Sequence, residues 1–222
     1  MRSPGIALMG MPEELLVLAP TWVEWRAVAR ALSRVRVGPA VSVVRCGVAL
    51  RRFTTPPRPI PVLITCGVAG GLDPELEPGA VVVAASVAFE DGEAVACDPV
   101  WTEALASGAR SLGLEPLVGP VLTSRRMLVG QARRPWADRG FVAAEMETGL
   151  LAPSGARLAS LRVILDAPAR ELASSWSSPL RAGLDPRRWR EAVWLAGRAP
   201  AFAAQAGRCL AAALASLPAG IR

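Results

Sequence analysis

Three short segments place carboxylates or glycines at spacings that could do chemistry. Ala144-Glu145-Met146-Glu147-Thr148 sets two acids around a methionine where a strand gives way to a helix. A carboxylate at such an edge can accept two hydrogen bonds from the vicinal diol of a sugar. An acidic first helical turn, favoured by the helix dipole, is the plainer alternative. Leu161-Arg162-Val163-Ile164-Leu165-Asp166-Ala167-Pro168 ends an apolar run on a lone acid. Ligands of open α/β sheets bind at the carboxyl ends of strands. Burial there raises an aspartate pKa, so Asp166 could hold a proton and serve as a general acid; a helix cap is the alternative. Thr65-Cys66-Gly67-Val68-Ala69-Gly70-Gly71-Leu72-Asp73, followed by Leu76-Glu77-Pro78-Gly79-Ala80-Val81-Val82-Val83, puts glycines after a buried strand. Backbone can approach a ligand or another backbone closely there, or simply turn a tight corner. The spacing is neither G-x-G-x-x-G nor a P-loop, so no dinucleotide or ATP site follows.

The elements that must position these groups alternate between strand and helix. Short apolar or β-rich runs predict strands at 15–19, 41–46, 62–66, 80–88, 117–123, 140–144 and 158–165. Gly67 to Gly71 is expected to turn the chain, and Arg51 to Pro61, with Pro56, Pro57, Pro59 and Pro61, to be a loop. Helices are expected over 22–34, from Asp98-Pro99 to Leu112, briefly from Glu145 to Pro153, and over 186–198 and 200–217. This alternation argues for one α/β domain over residues 1–222, a three-layer sandwich whose mixed, mostly parallel sheet is flanked by helices. The first 13 residues read as a ragged start.

Composition narrows the chemistry further. The chain has 222 residues, 52% hydrophobic and 20% charged, which excludes intrinsic disorder. All 25 basic residues are arginine, and lysine, histidine, tyrosine and asparagine are absent, the mark of a GC-rich genome. The net charge of +6 is spread without interleaved aromatics, so it does not indicate nucleic-acid binding. The missing histidine excludes Ser-His-Asp and Cys-His hydrolysis, His-ligated zinc and any imidazole acid or base. Acid–base work falls to Asp and Glu. Cys46, Cys66, Cys97 and Cys209 form no CxxC pair and read as buried free thiols rather than a metal or redox site. Pro12, Glu13 and Glu14 break any export signal, and Gln205 and Arg208 interrupt the alanine-rich C-terminal run, so a cytoplasmic chain without a membrane span is expected.

In this order the three segments resemble the signatures of the nucleoside phosphorylase and methylthioadenosine/S-adenosylhomocysteine nucleosidase superfamily. The resemblance covers roughly residues 14 to 170 and is strongest at 62–87, 140–148 and 160–168. The stretch Leu180–Leu217, with Leu184-Asp185-Pro186, is similar to the hopanoid-associated phosphorylase branch. What the resemblance implies is cleavage of the N-glycosidic bond of a purine nucleoside, with adenine the expected base. Asp166 matches the acid on the purine side, Glu147 the carboxylate that holds the ribose hydroxyls, and Met146 the residue packed on the sugar. Met127 falls where relatives place an aromatic residue in the base pocket, and Gly67 and Val68 fall in the glycine-rich wall of the substrate site. Glu24 matches the acid with which nucleosidases activate water, and Arg162 an arginine behind the groups that touch ligand. No metal or cofactor is implied, although phosphate would be a co-substrate in a phosphorylase. A homodimer or higher homo-oligomer is expected.

The nucleophile and the substrate turn on departures from the family pattern. Phosphorylases carry an arginine in the turn after the first strand, whereas Ala19-Pro20-Thr21-Trp22-Val23-Glu24 carries a carboxylate that would repel phosphate, which favours hydrolysis. Leu165 replaces a serine before the aspartate, Val68 a hydroxyl residue and Met127 an aromatic one. The interval from Glu147 to Asp166, with Pro153 inside it, and the stretch Val41 to Pro61 are both abbreviated. Two readings stay open: a pocket widened for a bulky apolar 5′ group such as adenosylhopane carries, or a nucleoside-binding scaffold that retained the fold without the activity.

Overall fold

The computed structural model describes residues 14–35, 41–54, 60–90, 92–170 and 189–217. The ragged start, Pro56, Pro57, Pro59 and the Leu184-Asp185-Pro186 stretch lie outside them. Leu15–Ala19 forms β1, paired in parallel with β2 (Val41–Arg45) and β3 (Val62–Gly71) and buried along its whole length because Leu15 and Val17 enter one core and Leu16 and Leu18 the other. The remaining strands are β4 (Val81–Phe89), β5 (Val95–Ala96), β6 (Leu117–Thr123), β7 (Ala143–Glu145) and β8 (Arg157–Asp166). The sheet is mixed, and part of it curls into a closed circuit. β3 pairs β7, β7 pairs β6, β6 pairs β4, β4 pairs β8, and β8 returns to β3. β1 and β2 continue the sheet outward from β3.

Three helices longer than two turns are described: α1 (Trp22–Leu32), α2 (Pro99–Arg110) and α4 (Trp189–Ser216). A single turn, α3, spans Arg134–Ala137. Thr21 and Glu24 close a reciprocal capping box at the start of α1, and Asp98 caps α2 by accepting the Trp101 N–H at 3.0 Å. The long helices share one core with one face of the sheet, built from Val28, Trp101, Leu105, Ile64, Val83, Leu161 and Leu210 among others. α2 and α4 meet at Gly108, where a Cβ would lie 2.6 Å from the Ala213 nitrogen and the Cys209 carbonyl oxygen. The second face carries another core around Leu18, Leu63, Val82, Val121 and Ile164, covered by loops and 3-10 turns.

Three expectations are corrected. Gly67 to Gly71 does not turn the chain, because β8 on one side and β7 on the other hold it as strand up to Gly71. The segment from Glu145 is not an α-helix: β7 runs to Glu145, and Thr148–Ser154 makes a 3-10 turn that accommodates Pro153. The helices expected on either side of residue 199 are one, since α4 passes through Pro200 and buries Phe202, Ala206, Cys209 and Leu210 beyond it.

Candidate functional site

β3 and β8 run in parallel with Gly67 opposite Arg162, and this crossing is the floor of the site. β7 is antiparallel to β3, with Ala143 against Gly71 and Ala144 against Gly70. Its chain direction therefore carries Glu145 and Glu147 back over Gly67 and Val68. Glu24 arrives from the other side, one short turn after β1. Gly67 is required there for space: a Cβ would lie 2.2 Å from Glu24 Oε1. The Val68 N–H donates to that Oε1 at 2.8 Å, while Thr21 donates its N–H and hydroxyl to Oε2 at 2.9 and 2.6 Å. One side chain thus caps a helix and reaches the sheet.

Arg162 is fully buried and ties the carboxylates together. It pairs closely with Glu145, reaches Glu147 Oε2 at 3.3 Å and donates to the Val68 carbonyl at 3.4 Å. Burial alone would weaken this cation, but Glu145, Glu147 and Glu24 reverse that and hold its pKa above the ordinary arginine value. Glu145 accepts from Arg162, from the Thr123 hydroxyl, from the Thr148 hydroxyl at 2.8 Å and from the Glu147 and Thr148 N–H groups at about 3 Å. Below it, the Thr65 and Thr148 hydroxyls are 2.7 Å apart, and Thr65 donates to Ser160 at 2.9 Å.

Glu147 is held less tightly. Its Oε1 accepts the Ala49 N–H at 3.0 Å and its Oε2 faces Arg162. Burial pushes its carboxyl up to about 7; Arg162 and the Ala49 N–H oppose this, and the Glu145 and Glu24 charges add to it. The Ala49 N–H comes from a turn in which Gly47, Ala49 and Leu50 have φ of 76, 52 and 56°. For non-glycine residues that left-handed conformation is strained, and such strain gathers at functional sites.

At the other end, the β3–β8 register slips between Ala69 and Gly70, so Ala69 pairs Ile164 but Gly70 pairs Asp166. Leu165 is the extra residue of this bulge. A bulge re-aims the side chains beside it, and the missing Cβ of Gly70 leaves room for Asp166 Oδ1, which would be 3.2 Å from it. Asp166 is buried at the end of its strand, as expected, but among polar partners. It pairs with buried Arg133, whose guanidinium also donates to the Gly71 carbonyl at 2.7 Å and the Leu128 carbonyl at 3.2 Å.

The structure therefore brings Glu24, Gly67, Val68, Glu147 and Arg162 together, with Asp166 three pairs further along the same two strands. Met146 is half-buried between the two glutamates, and half-buried Met127 lies on the loop that Arg133 holds through Leu128. Sequence reasoning missed Arg133 and the part played by Glu145. Nothing local marks the first; the second had a signal, since a carboxylate beside an alternating strand needs a buried partner. The four cysteines are free and buried, and no group of acids and thiols that could hold a metal occurs among the described residues. No helix among them is long and apolar enough to cross a membrane.

The fold is similar to several solved structures. The 5′-methylthioadenosine/S-adenosylhomocysteine nucleosidase of Neisseria meningitidis, solved with methylthio-immucillin-A, superposes with a TM-score of 0.67 at 16% identity, covering 91% of this chain and 99% of that one. The S-adenosylhomocysteine nucleosidase of Streptococcus pyogenes gives 0.67 at 16% identity, with 94% and 99% covered. The futalosine hydrolase of Helicobacter pylori gives 0.67 at 13%, with 93% and 99% covered. No curated protein sequence matches the chain. The family model of the phosphorylase superfamily matches residues 8–177, a span holding every described strand and each of the buried acids of the site, and the chain belongs to that superfamily.

Proposed function

We propose that this chain cleaves the N-glycosidic bond of a purine nucleoside, adenine-bearing by preference, with water as the attacking group. The observation that carries the reading is the meeting of Glu24, Glu147 and Arg162 over Gly67 and Val68, with Asp166 further along the same pair of strands. Breaking such a bond develops positive charge on the sugar and negative charge on the base. Carboxylates at one end and an acid or hydrogen-bonding group at the other address the two charges. Glu147 would take the ribose hydroxyls, with Met146 against the sugar. Glu24 would orient and deprotonate water. Asp166, held by Arg133, would face the leaving purine beside Met127. The nucleosidase and hydrolase neighbours support the reaction class.

Water is favoured over phosphate because, among the described residues, Glu24, Glu145 and Glu147 outnumber Arg162, which Glu145 already engages. An incoming phosphate would meet net negative charge at close range. The departures at Val68, Met127 and Leu165 are the sequence features behind a bulky apolar 5′ group such as adenosylhopane carries; Val68 and Leu165 are half-buried and pack in part on the helix-side core. The test is release of free base from methylthioadenosine, futalosine and adenosylhopane, with and without phosphate. Free sugar without added phosphate is expected. Turnover that requires phosphate would overturn the hydrolytic half. Tight binding of nucleosides with no turnover of any would leave the scaffold reading in its place.

A further inference from the structure

The two acids of Glu145-Met146-Glu147 have unequal tasks. Glu145 is sealed off, its side chain about 1% exposed, and it already accepts from Arg162, Thr123, Thr148 and two backbone N–H groups. It has no open side from which to touch a ligand. Glu147 has one backbone donor and an Arg162 contact of 3.3 Å, longer than the pairing between Arg162 and Glu145. Both carboxylates contact the same guanidinium nitrogen, so a stronger hold by one weakens the other.

We propose that Glu145 is a positioning residue that draws the Arg162 guanidinium away from Glu147, leaving the outer carboxylate's lone pairs available to sugar hydroxyls. The proposal rests on the nucleoside reading above for its ligand, and on the geometry alone for its electrostatics. With Glu145 neutral, Arg162 turns to Glu147 and competes with the diol for the same oxygens. Charged and titratable groups reach Glu147 from every element packed on it: Arg162 from β8, Glu145 from β7, Glu24 from α1, and the Cys46 thiol beside the Ala49 turn. Removing the Glu145 charge takes away a repulsion and frees a cation, and both make Glu147 a stronger acid.

The experiment compares wild type, Glu145→Gln and Glu145→Asp. Carbon-13 carboxyl NMR follows the titration of Glu147, assigned by its loss in Glu147→Gln, and calorimetry follows binding of methylthioadenosine and its 2′-deoxy analogue. In Glu145→Gln the Glu147 ionisation constant is expected to rise ten-fold or more. The preference for the riboside over the 2′-deoxy compound, about ten-fold or more in wild type for a hydrogen bond to a charged group, is expected to collapse to within about three-fold. Glu145→Asp, which keeps the charge, restores most of both. An unmoved Glu147 titration overturns the proposal, as does a retained riboside preference. Should wild type bind no nucleoside, the functional reading fails and the titration alone decides this one. Should Glu145→Gln fail to fold, Thr123→Val, which removes a donor competing with Arg162 for Glu145 and so tightens that pairing, is read instead: a shift of Glu147 in the opposite direction is expected, and none overturns.

Discussion

Glu147→Gln should cost activity and return stability, with a pH signature. Burial, with the Glu145 and Glu24 charges adding to it, holds the Glu147 carboxyl at about 7 in the folded protein against an ordinary value of 4.5. The folded value is the higher one, so its contribution to stability is fully present below pH 4.5 and is lost as pH rises through 7. At roughly 1.4 kcal/mol per pH unit, the loss between pH 5 and pH 8 is about 2.5 kcal/mol. Urea unfolding followed by tryptophan fluorescence at the two pH values measures it. For a slope of about 2 kcal/mol per molar, the wild-type midpoint should fall by about 1 M relative to Glu147→Gln over that range. Groups that titrate independently of Glu147 drop out of this difference of differences. A stability gap between the two proteins that stays the same from pH 5 to pH 8 would refute the claim that Glu147 is held against its charge.

The same site yields further expectations. Gly67→Ala places a Cβ 2.2 Å from Glu24 Oε1, so nucleoside cleavage should fall at least ten-fold while circular dichroism stays native-like. Ala49→Gly removes a left-handed penalty of about 1–2 kcal/mol and gives back roughly 0.5–1 kcal/mol through the freer unfolded chain; a net gain of about 0.5–1 kcal/mol in urea is expected, and a loss would deny the strain. Arg133→Met removes a guanidinium that pairs with Asp166 and donates to the buried Gly71 and Leu128 carbonyls, which should destabilise by about 1–3 kcal/mol, and Arg133→Lys should recover part of that. Burial pushes the Cys46 and Cys97 thiols up to about 12 and Cys209 to about 11, so a thiol reagent at pH 8 should label none of the described cysteines until the protein is unfolded.

How far the sequence could be read depended on how local each determinant is. β1 and β6 follow from apolar runs, and the expected bounds 15–19 and 117–123 are those observed. The glycines of 67–71 look like a turn because they lack side chains to pack. They remain strand because two neighbouring strands supply ladders that no local signal reveals. Pro200 looks like a helix break, yet the buried face beyond it outweighs one lost hydrogen bond. Glu24 was named through the family resemblance, and the Thr21-x-x-Glu24 capping box marks its place at a helix start. Arg133 was not legible. It meets Asp166 across 33 residues of sequence, and only the closure of the strand circuit brings the two together.

Charge at the site also explains why its backbone is strained. Glu24, Glu145 and Glu147 are buried around one guanidinium, and each unmatched charge at that depth costs several kcal/mol. The remainder is met by backbone N–H groups: Val68 to Glu24, Ala49 to Glu147, and Glu147 and Thr148 to Glu145. The Ala49 N–H reaches its target through a turn with three left-handed residues, two of them not glycine. A second arginine in place of that turn would stabilise the carboxylates equally well. It would also add a full positive charge and so create the anion site that phosphate needs. Backbone dipoles stabilise the acids without changing their net charge, so the pocket stays negative overall. On the proposed reading, a strained turn in place of a cation would keep phosphate out and leave water as the nucleophile these carboxylates could activate.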